Sequence, residues 1–380
     1  MSLLTVGVFA TSQKEQERRV PIHPEQLSWI DEDVRRHLIF ETDYGVPFGV
    51  SNETIQSLSG GLAPRAELFD QCDIALLAKP VQADFAQMKE GTIHWGWPHC
   101  VQQQDITQTA IDRRLTLIAW EAMHRWSQHG DWQMHIFHNN NEMAGYAGVL
   151  HAMNLAGIDG NFGRKRKAVV ISFGSVSRGA IRALRARGVN DITVFTQRHY
   201  VLVADQMPGV DYFQFEENES GDLVSLHPDR MSLPLVDELA EADIIVNGIL
   251  QDTDHPLMFV SEGEEDRLKE NCLIVDVSCD EGMGFHFARP TSFTDPMFKV
   301  GHVHYYAVDH TPSYLWNSAS WEISNSLLPF LPIVMGGPER WEESETIRRA
   351  IEIQDGVIKN PKILSFQHRA AAYPHVSEAA

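Results

Sequence analysis

Short aliphatic and β-branched runs recur along the first third of the chain, each bounded by polar or turn residues: Leu4 to Ala10, then "HLIFE", "DIALLAK", "GTIHWGW" and "LTLIAWE". Amphipathic stretches such as Gln103 to Arg113 lie between them, and Pro24 stands where it can open a helix running toward Arg36. Strands that are apolar on both faces and alternate with helical patterns predict a mostly parallel sheet covered by helices. "NEMAGYAGVLHAMNLAG", with small and apolar residues at helical spacing and Gly157 at its end, predicts a helix that crosses into a second domain.

A second series follows: "AVVIS", "DITVF", "ADIIVNG", "CLIVDVS" and "VHYYAV", with helices expected at Leu235 to Ala240 and Glu264 to Glu270. "SYLWNSASWEISNSLLPFL" predicts a long helix returning the chain to the first domain, which is then discontinuous. "GPERWEESETIRRAIEIQDGVI" is expected as a final amphipathic helix, acidic at its start as the helix dipole favours. The fold class is α/β with two domains. A chain of 380 residues, 43% hydrophobic, can bury two such cores.

The segment "VVISFGSVSRGAIRALRARG", residues 169 to 188, feeds a β-branched run into a tight loop and then a helix. That is the plan of a dinucleotide-binding turn, in which glycines allow the turn, admit pyrophosphate to the backbone, and let the helix pack on the strand. Gly174 and Gly179 fill the second and third places, while Ser172 holds the first. Free N–H groups at the helix start, from Ser175 through Val176 to Ser177, would meet the phosphates. At the end of the next strand an acid would accept the ribose hydroxyls of NAD. "ITVFTQRH" offers Thr196, Gln197 and Arg198 instead, and a guanidinium suits a 2′-phosphate, so NADP(H) is preferred to NAD(H).

Charge narrows the partners. A net charge of −21 offers no basic face to nucleic acid or an anionic membrane, which leaves small molecules. No run approaches a membrane span, and the four cysteines form no C-x-x-C pair, so a soluble cytoplasmic protein is expected. A homo-oligomer is compatible with the sequence but not indicated by it. The histidines lack zinc-like spacing, and no metal site is expected.

Polar residues at strand ends carry the candidate chemistry, because ligands of open α/β sheets bind beyond the carboxyl ends of the strands. Arg19, in "ERRVPIHP", could clamp a carboxylate through two hydrogen bonds. Lys79, ending "DIALLAK", could polarise a carbonyl, and His99, in "GWPHC", could shuttle a proton. Asp280, just past "LIVDVS", could work beside a histidine, whereas Asp276 within that strand reads as structural.

Taken together, "ERRVPIHP", "GWPH", "NEMAGYAGVLHA", "ADIIVNGI", "LIVDVSCDEG" and "HYYAVDHTPSYLWNSASWEIS" resemble, in order, the alanine dehydrogenase and saccharopine dehydrogenase superfamily. Within it the chain looks most like the opine-type carboxyethylornithine synthases. The resemblance implies a substrate domain of residues 1–140 and 310–380 and a Rossmann NADP-binding domain of 141–309. It also implies that Arg19 binds a 2-oxo-acid carboxylate, Lys79 its carbonyl, and that His99 and Asp280 are catalytic. Asn247, Gly248 and His310 would lie beside the cofactor, although Asp309 and His310 stand where relatives often carry asparagine. The reaction implied is NADPH-dependent reduction of the imine formed between pyruvate and the side-chain amine of ornithine or lysine. The alternatives are NAD-dependent alanine dehydrogenase, a saccharopine-type reaction with 2-oxoglutarate, and a non-catalytic NADP-binding protein. The 127–141 stretch matches no known motif.

Overall fold

The computed structural model describes residues 3–10, 12–252 and 255–377. It divides into two compact units, one of Met1–His138 with Trp316–Ala380 and one of Asn139–Leu315. Each is built on its own sheet, and the two-domain α/β class with a Rossmann-like domain is as expected.

In the first unit the sheet runs Val357–Ile358, Ile351–Gln354, Thr116–Ala119, Ile93–Gly96, Ile74–Leu76, Val6–Val8, Leu38–Glu41, Gly61–Ala63. The last six of these are parallel, and their chain order reverses between Val6–Val8 and Ile74–Leu76. In the second unit the order is Leu233–Pro234, Leu223–Leu226, Asp211–Glu217, Asp191–Thr196, Lys167–Ile171, Ile244–Asn247, Leu273–Asp276, Val303–Tyr306, Met297–Val300. Its parallel strands, read by chain position, follow the doubly wound order 3-2-1-4-5-6, with the switch between Lys167–Ile171 and Ile244–Asn247. Central strands such as Val6–Val8, Ile74–Leu76 and Ile244–Asn247 are buried throughout, as parallel strands covered on both faces must be.

Several elements depart from the sequence pattern. The helix expected from Pro24 is interrupted: a 3₁₀ helix, Pro24–Trp29, ends at extended Ile30, and a short helix, Glu32–Arg35, starts afresh. Only a 3₁₀ turn, Glu265–Arg267, stands where a helix was expected over Glu264 to Glu270. The final amphipathic helix is two short helices, Pro338–Trp341 and Glu345–Ala350, followed by the hairpin Ile351–Gln354/Val357–Ile358. Asp355 and Gly356 form its turn, both at positive φ (50° and 80°), the conformation a two-residue Asp-Gly hairpin requires. The acidic 216–222 stretch is likewise the tip of an antiparallel hairpin that extends the second sheet. Residues 124–135 form another, His124–Trp126 against Trp132–His135. No helix among the described residues is long and apolar enough to cross a membrane.

Two helices of the second unit, His138–Leu155 and Ser175–Ala186, meet with almost no side chain between them. A Cβ on Gly179 would lie 1.7 Å from the carbonyl oxygen of Glu142, and one on Gly145 would lie 1.8 Å from that of Val176. Gly179 was expected to let its helix close on the strand; the atoms it clears belong to the neighbouring helix instead. Gly179→Ala and Gly145→Ala should each destabilise the protein by about 2 kcal/mol or more, since backbone cannot move aside as a side-chain tip can. Urea unfolding of the two variants against the parent checks this.

Candidate active site

At the switch point of the first sheet, adjacent parallel strands leave in opposite directions and their carboxyl ends are uncovered. Lys79 follows Ile74–Leu76, His99 follows Ile93–Gly96, and Glu121 follows Thr116–Ala119. The Ser12 hydroxyl, beyond Val6–Val8, donates to the Lys79 carbonyl.

These strand ends converge. Lys79 Nζ lies 3.3 Å from His99 Nε2. An ammonium has donors only, so in this pair Nε2 accepts and the ring proton sits on Nδ1, which faces Glu121 Oε1 at 3.8 Å. The same Glu121 oxygen accepts the His99 backbone N–H at 2.7 Å, bracing a residue whose φ is +49°. Burial, then the charge of Glu352, push the Glu121 carboxyl up to about 8. Its Oε2 is buried without a hydrogen-bond partner among the described residues.

Arg19 is in the same unit and buried. Its Nε donates to Glu17 Oε1 at 2.8 Å, its second amino group donates to Glu17 Oε2 at 2.5 Å, and its guanidinium lies 5.0 Å from the Trp97 ring centre. The fork is thus fixed in orientation before any substrate carboxylate arrives. Neither Glu17 nor Glu121 was singled out from sequence. The signal for Glu121 was present, an acid closing the run "LTLIAWE" at the same kind of strand end as Lys79 and His99.

In the second unit, the loop after Lys167–Ile171 carries Ser172 at φ +79°, a left-handed conformation that glycine adopts freely and serine does not. The turn is kept even though its glycine is not. Gly174 caps the helix Ser175–Ala186, and nothing lies within 4 Å of where a Cβ on it would stand. The loop therefore leaves open space in front of the Ser175 and Val176 amides, and these residues fit a pyrophosphate. Gly248 ends the strand across the switch point, where a Cβ would meet Ser177 Oγ at 2.6 Å. Arg198 is exposed, and its guanidinium donates 2.9 Å to the Phe173 carbonyl inside the loop. Thr196 is buried and Gln197 exposed.

Asn247 faces inward: its Nδ2 donates to Asp276 Oδ1 at 3.0 Å and its Oδ1 accepts the Ile249 amide. That ties its side chain to the strand ends rather than leaving it turned outward. Asp276 also accepts the Tyr305 hydroxyl at 2.6 Å. Burial is the largest influence on Asp276 and pushes it up to about 7. Asp280 lies just beyond, half-buried, and burial raises its carboxyl too. His310 is buried, its Nδ1 2.6 Å from Asp309 Oδ1, with its ring edge-on to Phe293. No group of three or more metal-ligating side chains occurs among the described residues.

Two Rossmann-like sheets, one with an open phosphate loop and one with lysine and histidine paired at strand ends, define a nicotinamide-dinucleotide-dependent oxidoreductase. The chain belongs to the alanine dehydrogenase/PNT family: residues 7–144 match its N-terminal domain and 158–361 its C-terminal domain. It is 27% identical over 329 residues to the N(5)-(carboxyethyl)ornithine synthase of Clostridium botulinum, covering 84% of this chain and 91% of that one. It is 22% identical over 344 residues to the alanine dehydrogenase of Mycolicibacterium smegmatis, covering 86% of each. In fold it is similar to an L-alanine dehydrogenase structure, with a TM-score of 0.75 and 18% identity over 96% of this chain and 99% of that one. A transhydrogenase from Sinorhizobium meliloti is similar too, with a TM-score of 0.66 and 15% identity over 94% and 99%.

Two outcomes are expected. Ser172→Gly should leave stability unchanged or slightly higher, whereas Ser172→Val should cost about 1–3 kcal/mol, because a β-branched residue resists the left-handed region; chemical denaturation reads both. Asp276 has its folded-state pKa raised, so its contribution is fully present below the ordinary carboxylate range and is lost as pH rises through about 7. The stability difference between the parent and Asp276→Asn should therefore change across roughly pH 4 to 7 and be flat outside it.

Proposed function

We propose that the chain is an NADPH-dependent reductase that joins a pyruvate-like 2-oxo acid to the amino group of an ornithine- or lysine-like amino acid, giving an N-carboxyalkyl amino acid. The observation that carries this reading is the pairing of Lys79 with His99 at the switch point of the first sheet, a cation and a base 3.3 Å apart where such sheets take ligands. Cofactor binding alone requires neither residue.

Arg19, braced by Glu17 and Trp97, presents a planar guanidinium to the 2-oxo-acid carboxylate. The Lys79 ammonium stabilises charge developing on the carbonyl oxygen as the amine adds. His99 takes a proton from the attacking amine and returns one to the departing water as the imine forms. Asp280, whose carboxyl burial raises, is assigned the second catalytic role, that of an acid in proton transfer. When bound, the reduced nicotinamide supplies the hydride that converts the imine to a secondary amine. Ser172, Gly174, Ser175, Val176 and Gly179 shape the pyrophosphate cradle, Gly248 borders it, and His310 lies on the nicotinamide side. Arg198 beside the loop, on a strand end that carries no acid, favours a 2′-phosphate and hence NADPH.

The assay follows oxidation of NADPH and NADH with pyruvate, glyoxylate or 2-oxoglutarate against ammonia, ornithine and lysine. Secondary-amine formation with ornithine or lysine and NADPH is expected. Turnover confined to ammonia and NADH would instead make the chain an alanine dehydrogenase, and a requirement for 2-oxoglutarate with lysine a saccharopine-type enzyme. His99→Ala should lower turnover by about 10² to 10⁴ while NADPH binding persists. Arg198→Asp should weaken NADPH binding about tenfold or more and spare NADH, the loss expected for one charge-assisted hydrogen bond.

A further inference from the structure

The strand Asp191–Thr196 does not hand the chain directly to its parallel neighbour Asp211–Glu217. Residues 197–210 make a long excursion between the two, starting with Gln197 and Arg198 and holding one 3₁₀ turn, Tyr200–Leu202. Only two residues of the excursion, Val203 and Val210, are buried. Ordering so exposed a segment costs conformational entropy that its own burial does not offset, so its course must be fixed by something outside it.

What fixes it comes from the helix Ser175–Ala186, which starts at the phosphate loop. Arg178, one turn into that helix, donates from its two amino groups to two successive carbonyls of the excursion, Ala204 and Asp205, both at 2.9 Å. Asp205 stands at φ +52°, a left-handed conformation in which the bond secures its carbonyl. Two turns further along the same helix face, Arg185 donates to the Pro208 carbonyl. The Arg178 guanidinium also lies over the Phe173 ring, 4.2 Å from its centre. Tyr212 meets that ring edge-on at 4.9 Å and takes the Met207 amide on its hydroxyl at 2.8 Å. Phe173 is buried within the phosphate loop, and its carbonyl accepts the Arg198 guanidinium at 2.9 Å. Phosphate loop and excursion are therefore tied together at Phe173, whose ring is capped by Arg178 and whose carbonyl holds Arg198.

We propose that Arg178 is a positioning residue for the cofactor: it sets both the Phe173 carbonyl and the excursion that carries Arg198, and so decides how well Arg198 meets a 2′-phosphate. Arg178 does not read the phosphate itself, because both amino groups of its fork are engaged by main-chain carbonyls. Its shape matters as much as its charge. A planar fork meets two carbonyls and an aromatic face at once, which an ammonium on a flexible stem cannot do. NADPH and NADH share adenine, pyrophosphate and nicotinamide and differ only in the 2′-phosphate, so a displaced Arg198 changes the ratio of their affinities rather than both affinities together.

This role for Arg178 rests on the reading that Arg198 meets the 2′-phosphate of NADPH, so Arg198→Asp is measured beside the new variants. Full-length protein is titrated calorimetrically with NADPH and with NADH, and the ratio of the two dissociation constants is read. Arg178→Lys and Arg178→Met should each lower the preference for NADPH about fivefold, through weaker NADPH binding with NADH binding little changed. Phe173→Leu, which keeps an apolar side chain but removes the aromatic face, should move the ratio the same way by about threefold. A merely structural Arg178 would weaken both cofactors alike, and an unmoved ratio in the folded Arg178 variants overturns the proposal. So does a ratio kept in Arg178→Lys and lost in Arg178→Met, which would make Arg178 a simple charge at the phosphate. If neither Arg178 variant folds, Phe173→Leu decides alone, an unmoved ratio again overturning the proposal. A ratio unmoved in Arg198→Asp sinks the NADPH reading and this role with it, whereas a ratio that falls in Arg198→Asp but not in Arg178→Lys sinks this role only.

Discussion

The chemistry of this chain depends on one topological constraint applied twice: a doubly wound parallel sheet must reverse its strand order once, and there two neighbouring strands leave their carboxyl ends uncovered. At the reversal, backbone groups and the first residues beyond each strand face outward. In the first unit this exposes Lys79 and the neighbouring ends that bear His99 and Glu121. In the second it exposes the Ser172–Gly174 loop and, across the gap, Gly248. The sheet does not dictate which side chains stand there, only that whichever do will be brought together.

Holding those side chains still is a separate problem, and the two units solve it with acids drawn in at the strand ends, Asp276 buried and Glu121 partly so. Asp276 ties the ends of adjacent strands through Asn247 and Tyr305. Glu121 ties the His99 amide. Each acid is raised toward neutrality, Asp276 to about 7 and Glu121 to about 8, with burial as the main cause. A fully ionised carboxylate at such a place would need a paired cation, and a cation there would compete for the substrate. Near-neutral carboxyls keep the hydrogen bonds while lowering the local charge.

This distribution explains which features were legible in the sequence. The parallel strands were, because burial on both faces writes an unbroken apolar run such as "ADIIVNG" that nothing else in a soluble domain requires. So were the strand-end positions of Lys79 and His99, which follow such runs. The antiparallel additions were not. "AIEIQDGVI" alternates Ile, Glu, Ile and closes on Asp-Gly, a hairpin signature, but the preceding "ERWEESETIRRA" has helical charge spacing and dominates any window that spans both. With the hairpin read as helix, Glu352 counted as one more solvated acid among 52 and its burial could not be foreseen.

Ser172 shows the opposite relation between sequence and structure. By residue type it subtracts from the dinucleotide fingerprint, since its glycine was expected to provide conformational freedom. The backbone adopts the left-handed turn regardless, at φ +79°. What enforces it lies outside the loop: the Ser172 amide donates to the Phe195 carbonyl at 2.7 Å, and the helix that follows is pinned by the Gly145 and Gly179 contact with its neighbour. With strand and helix both fixed, the few residues between them have one path available, and local strain of about 1 kcal/mol is too small to divert it. A fingerprint glycine is therefore a sufficient reason for the turn, not a necessary one, and the contacts on either side of the loop are a better guide to a phosphate cradle than the loop's own residues.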